Sequence, residues 1–190
     1  MSEVKLQTYI SILRGINVSG HKMIKMEALR KMYSNLNFKN TQSYIQSGNI
    51  IFQNKKTGCD SLGRKISKAI LHEFGFEVPV LVKESNEIMN VLKNNPFIKN
   101  RYEDISYLHV TFLSHEPDQA AIDKIKDGQY ASDEFILIGK TVYLFCPNGY
   151  GNTKLTNTFF EKKLNVTATT RNWKTVNELF NMAEKIQDMK

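Results

Sequence analysis

The sequence contains no apolar run approaching the roughly 20 residues that a membrane-spanning helix requires, so no membrane partner is expected. It contains two cysteines, Cys59 and Cys146, too far apart for a metal-ligand spacing and too few for a disulfide framework. Both thiols are expected to be reduced, with no metal and no cofactor. The opening stretch MSEVKLQTYISILRG lacks a signal-peptide pattern. Its apolar run is too short for an h-region and no small-residue cleavage site follows, so the expected compartment is the cytoplasm.

What is present suits a folded protein. Hydrophobic residues make up 41% of 190, enough for a packed core without disulfides, in one large domain or two small ones. Charged residues make up 24%, an ordinary share that argues against disorder. The net charge of +7 is unevenly spread. Residues 1–83 hold 13 Lys/Arg against 5 Asp/Glu, a net of +8, whereas residues 84–190 hold 13 against 14. The first half is therefore expected to meet an anion.

Periodicity places the elements. Tyr9–Leu13 is an apolar β-rich run that stops at Gly15. Over Lys25–Leu36, Met26, Leu29, Met32, Tyr33 and Leu36 recur at spacings of three and four, the pattern of an amphipathic helix. Ser43–Gln46 and Ile50–Phe52 flank Ser47-Gly48-Asn49 as a hairpin. Asp60 is placed to cap a second helix that Gly75 ends, and Val78–Val82 is a further strand. Residues 84–104 read as a connector with a short helix from Ser85 and turns around Asn94–Phe97 and Lys99–Arg101. The order then recurs: a strand at 106–113, a helix at 117–126, a hairpin Glu134–Ile138/Thr141–Phe145 through Gly139-Lys140, a helix at 154–164 and a short strand at 166–170. A final helix runs over 172–186, with Trp173, Val176, Leu179, Phe180 and Ala183 on one face. The expected fold class is α+β: two ferredoxin-like, split βαβ halves in tandem with an added C-terminal helix, the first over 1–83 and the second over 105–190.

The stretch SILRGINVSGHK, residues 11–22, follows the first strand. Gly15 and Gly20 have the separation of a P-loop, but His21 precedes Lys22 and Met23 stands where a magnesium-binding hydroxyl belongs. The helix also begins too late for its N-terminus to grip a phosphate. Two readings remain: an anion nest built from Arg14, Asn17, Lys22 and exposed backbone amides, or a glycine-stabilised turn whose Arg14 pairs with a carboxylate.

Leu13-Arg-Gly-Ile-Asn-Val18, Tyr44-Ile-Gln-Ser-Gly-Asn49 and Thr169-Thr-Arg-Asn-Trp173 with Thr175 resemble the signature segments of the DUF1697 family, an uncharacterised bacterial group. The family pattern usually reads Gly-Gly where this chain has Ser19-Gly20, and often has proline where this chain has Lys25. The resemblance implies a bacterial, cytoplasmic protein and supplies candidate positions without a mechanism.

The candidate ligand-binding residues are Arg14, Asn17, Lys22, Gln46, Ser47, Asn49, Thr170, Arg171 and Asn172. They are amides, hydroxyls and cations without a carboxylate, groups that bind well and seldom act as nucleophiles or bases. Two segments are expected in loops after strands and one at the hairpin, all three meeting in space. No catalytic residue is assigned. Among the histidines, His21 alone lies in a candidate loop; Cys146 sits at a strand end, where burial is the commoner outcome. Trp173, Tyr44 and Phe52 read as core, and the hairpin does not match an RNA-binding sheet motif. The best reading is a binding module for an anionic ligand: a nucleotide, a phosphorylated metabolite or a nucleic acid. Alternatives are a small-molecule enzyme using Arg14 and Arg171 as clamps, or a structural protein that forms a homodimer through a sheet edge.

Overall fold

A computed structural model of the chain describes residues 5–101, 103–126 and 128–188. Residues 1–4 and 189–190, the outer ends of the two expected halves, and Tyr102 of the expected connector lie outside the described residues.

The first apolar run becomes β1 (Leu6–Leu13), longer than its apolar centre because Leu6, Gln7 and Thr8 continue the pairing. It lies between β3 (Asn49–Lys55) and β4 (Val80–Glu84), antiparallel to both, and β2 (Lys39–Tyr44) lies outside β3. The strand order is β2-β3-β1-β4. The amphipathic stripes predicted for helices become α1 (Met26–Asn35) and α2 (Cys59–Phe74), which bury Leu29, Met32, Tyr33, Leu62, Ile66 and Ile70 on one face of the sheet. Register sets the centre of this core. Tyr9 lies opposite Phe52, their rings are stacked 5.6 Å apart, and Phe38 and Tyr33 close around Phe52. The buried Tyr33 hydroxyl is satisfied by Ser11 Oγ at 2.8 Å, and burial pushes its ionisation above the ordinary phenol range. Asp60, the expected cap of α2, sits instead in its first turn, because the helix starts two residues early and Gly58 takes the cap position.

The second sheet repeats the plan. β5 (Leu108–Leu113) lies between β7 (Thr141–Phe145) and β8 (Ala168–Asn172), with β6 (Glu134–Ile138) outside β7. The order β6-β7-β5-β8 matches the first sheet position for position. The likeness reaches single hydrogen bonds. Leu13 N–H donates to Gly48 O in the hairpin turn as Leu113 N–H donates to Lys140 O, and Arg14 N–H donates to Pro79 O as Ser114 N–H donates to Thr167 O, each at 2.9 Å. The protein is thus α+β, with two four-stranded antiparallel sheets.

Several expectations need correction. The turn expected around Asn94–Phe97 opens α4 (Pro96–Arg101), since Pro96 suits a first helical position and Asn95 Oδ1 accepts the Phe97 N–H at 3.0 Å. The helices expected from 117 and 154 begin later, as α5 (Gln119–Lys126) and α6 (Asn157–Leu164); Thr156 caps the latter. The last strand is Ala168–Asn172 rather than 166–170, because pairing with β5 runs on through Asn172.

The chain divides into two compact units, one running to Met89 and resuming at Glu178, the other covering 90–177. The divisions fall inside α3 (Ser85–Lys93) and α7 (Trp173–Asp188). The last turns of α7 belong with the first unit, where Gln53 Nε2 donates to Ile186 O and Ser85 Oγ to Glu184 Oε1. Among the described residues no helix is long and apolar enough to cross a membrane.

Phe52 is fully buried among three other rings. Phe52→Ala is expected to cost about 3–5 kcal/mol, read as a lower urea midpoint with an unchanged native spectrum.

Candidate functional site

The first two signature segments interlock at one end of the first sheet. After β1 the chain turns through Gly15, Asn17, Ser19, Gly20 and Lys22, all with φ between 47° and 76°. Val18 and His21 bridge across a tight turn, and Asn17 N–H reaches Lys22 O. Left-handed backbone costs a non-glycine residue about 1 kcal/mol or more, so something must hold the path. The Asn17 carboxamide does. Its Nδ2 donates to Ile24 O at 3.0 Å and to Gln46 O at 2.8 Å, and its Oδ1 accepts the Ile24 N–H at 2.8 Å. One side chain thereby closes its own loop, sets the entry to α1 and ties both to the hairpin turn.

The hairpin turn answers with packing. Gly48 has φ 73°, and a Cβ there would lie 2.7 Å from Leu13 Cβ and 2.8 Å from Ile16 Cδ1, so only glycine fits. Asn49 is fully buried and donates to Ser47 Oγ at 2.9 Å and to Tyr44 O at 3.3 Å. Ile45, a β-branched residue, is held at φ 48° with its side chain half exposed.

Charge gathers at the same end. Lys22 Nζ donates to Glu77 O at 2.6 Å. Arg30, on α1, donates to Ser43 Oγ at 2.6 Å, next to the turn. Farther along the helix layer Lys65 Nζ donates to Leu36 O at 3.1 Å and lies over the Phe38 ring. Each of these acceptors is neutral, so the cations are fixed in place without losing their charge. Arg30 was missed in the sequence because it reads as an ordinary polar residue of a helix; its proximity to Ser43 depends on the helix crossing the sheet. His21 stands exposed at the loop tip.

The third signature segment lies in the second unit, in strand β8 rather than in a loop. Thr170 sits opposite Thr111 and joins a hydroxyl network: Tyr150 OH donates to Thr170 Oγ1 at 3.0 Å, which donates to Asn157 Oδ1 at 2.7 Å and contacts Thr111 Oγ1 at 2.7 Å. Arg171 donates to Thr169 Oγ1 and Thr170 O on its own strand. Asn172 Oδ1 accepts the Thr175 N–H and so caps α7. His109 stacks on the Tyr150 ring, centroids 4.9 Å apart, and burial lowers its pKa from the ordinary 6.5 despite the Tyr107 carbonyl at its Nδ1.

The arrangement supplies binding groups and little reactivity. Burial pushes both thiols up to about 11, aided at Cys59 by Glu87 and at Cys146 by Asp133, so neither is a ready thiolate. Among the described residues no group of His, Cys, Asp and Glu could hold a metal. Trp173, Tyr9 and Phe52 are buried, which leaves these rings unavailable to stack a base. A groove of about 460 Å³ lies elsewhere in the first unit, at the start of β1, lined by Lys5, Gln7, Lys56, Glu84, Asn86 and Gln187 among others.

A family model described as "Protein of unknown function (DUF1697)" matches residues 6–143. A conserved bacterial protein from Streptococcus pneumoniae has a similar solved structure, with a TM-score of 0.73 and 23% identity over 94% of this chain and 99% of its own. No curated protein matches.

Asn17→Ala removes three hydrogen bonds, and Asn17→Gly removes the same three while easing the left-handed backbone. Both are expected to destabilise by about 1–3 kcal/mol in urea unfolding, with Ala the worse. An unchanged midpoint for Gly would show that conformation, not bonding, holds the loop. For His109, a lowered folded pKa means that the unfolded chain binds the proton more readily. Stability is therefore present above pH 6.5 and falls as pH drops below it, through the folded value. Thermal melts between pH 7.5 and about 5 should show a decline that His109→Gln removes.

Proposed function

We propose, from the premise that this chain belongs to the DUF1697 family, that it is a binding module for an anionic ligand, held at the loop end of its first unit. The ligand class is a nucleotide, a phosphorylated metabolite or a nucleic acid. The observation that carries the reading is the anchoring of Lys22 and Arg30 on neutral oxygens. A cation paired with a carboxylate adds nothing to the field; a cation pinned by a carbonyl keeps its charge and loses its freedom. Arg101 of the second unit, by contrast, is held between Glu103 and Glu134. The excess of +8 over residues 1–83 supplies the wider attraction. We also read each unit as a ferredoxin-like split βαβ fold, which the shared element order and strand order support. A cysteine nucleophile has little support, since burial pushes both thiols up to about 11; this leaves the alternative of an enzyme with Arg14 and Arg171 as clamps untouched.

Fluorescence anisotropy with a labelled single-stranded oligonucleotide and competing nucleoside triphosphate tests the reading. Affinity is expected to fall steeply with salt, log K against log[salt] having a slope of about −0.7 per phosphate neutralised. Lys22→Ala with Arg30→Ala should weaken binding and flatten that slope by about 0.7 for each cation lost, while Lys126→Ala, in the second unit, changes neither. Absence of binding at low ionic strength for every probe would remove the proposal.

A further inference from the structure

The two sheets share one strand order but differ at their corresponding edges. At the edge of the first sheet, β2 is guarded. Its register slips between Lys39 and Gln42, Asn40 takes φ 50°, and Lys39 is exposed. Bulges and lysines are the usual means of keeping an edge strand from pairing with another chain. The remaining edges carry charge too: β4 ends in Lys83 and Glu84, and β8 contains Arg171. In contrast β6, Glu134-Phe-Ile-Leu-Ile138, pairs with β7 at five consecutive positions without a bulge, contains no proline, and exposes Ile136 and Ile138 at 36% and 52%. Its one charge is paired, because Arg101, which also meets Glu103, grips Glu134 with two guanidinium nitrogens, at 2.6 and 3.0 Å.

Hydrogen-bond geometry defines what such an edge accepts. Ile138 lies opposite Thr141 across the two-residue Gly139-Lys140 turn, so it bonds to β7, and by alternation so do Ile136 and Glu134. Phe135 and Leu137 then direct their N–H and C=O groups away from the sheet. An antiparallel copy of the same strand, centred on Ile136, matches this row: Phe135 of one chain bonds Leu137 of the other, twice over, and Ile136 faces Ile136 at the close, non-hydrogen-bonded position. The charge distribution favours the same partner. Copies that met through residues 1–83 would bring +8 against +8, whereas residues 84–190 are nearly neutral.

We propose that β6 is a homodimerisation edge, pairing with β6 of a second copy about a two-fold axis through Ile136 to join the two second-unit sheets. The proposal is independent of the anion-binding reading.

Sedimentation velocity on the full chain tests it. The wild type is expected to be a dimer at high-micromolar concentration. Ile136→Lys and Ile136→Glu each place like charges face to face across the axis, and each should weaken association about ten-fold or more. Circular dichroism should stay native, since the side chain is exposed in the single chain. Mixing the two variants should restore the dimer, because the axis then sets a lysine against a glutamate. Amide exchange provides a check that needs no substitution: Phe135 and Leu137 should become protected as concentration rises. A monomeric wild type, a dimer indifferent to Ile136→Lys, or a mixture that fails to associate would each overturn the proposal.

Discussion

The carboxamide of Asn17 ties together three parts of the chain. It closes the loop after β1, fixes where α1 begins through Ile24, and reaches across to the hairpin at Gln46. Without it, the left-handed residues between Gly15 and Lys22 keep only the short-range bonds of the tight turn, and the loop loses its side-chain ties to Ile24 and to the hairpin. Only asparagine meets all the demands at this position: it tolerates φ 54°, donates twice and accepts once. The hairpin adds a steric condition, since Leu13 and Ile16 occupy the space a Cβ at Gly48 would need.

The two units solve one architectural problem with different polar chemistry. In each, the central strand passes a buried hydroxyl through the helix-covered face: Ser11 in β1 and Thr111 in β5, both fully buried. Ser11 is satisfied by Tyr33 of the neighbouring helix; Thr111 joins a network with Thr170, Tyr150 and Asn157. A buried polar group must find a partner. The repeated placement of a hydroxyl beside different partners fits a shared plan whose details have diverged. Charge has diverged as well. At its loop end the first unit fixes Lys22 and Arg30 on neutral acceptors, and the second locks Arg101 between carboxylates.

Much of this fold was legible in the chain. The periodicities of α1, α2 and α7 and the Gly139-Lys140 hairpin were plain because each is a local signal. The misplaced elements have local causes too. Pro96 reads as a turn until Asn95 is seen to cap a helix there, and β8 reads two residues early because Arg171 and Asn172 look like loop residues until β5 pairs with them. The site was legible only as a pattern. Sequence pointed to Asn17, Gln46, Ser47 and Asn49, and the first unit does bring these together. Their roles were invisible, because whether an amide binds a ligand or its own backbone depends on neighbours 29 residues away, as for Asn17 and Gln46. Arg30 and its partner Ser43 were hidden for the same reason.

Gly48 and Asn49 carry a lesson about what a motif records. Every demand found at these two positions is spatial: the first must have no side chain because two others fill its place, and the second must bond the turn that precedes it. A search of other genomes for Tyr-Ile-Gln-Ser-Gly-Asn would therefore retrieve a way of turning a corner against a strand end. The hits would share an architecture, and their activities would have to be sought in the side chains that the corner leaves free to vary.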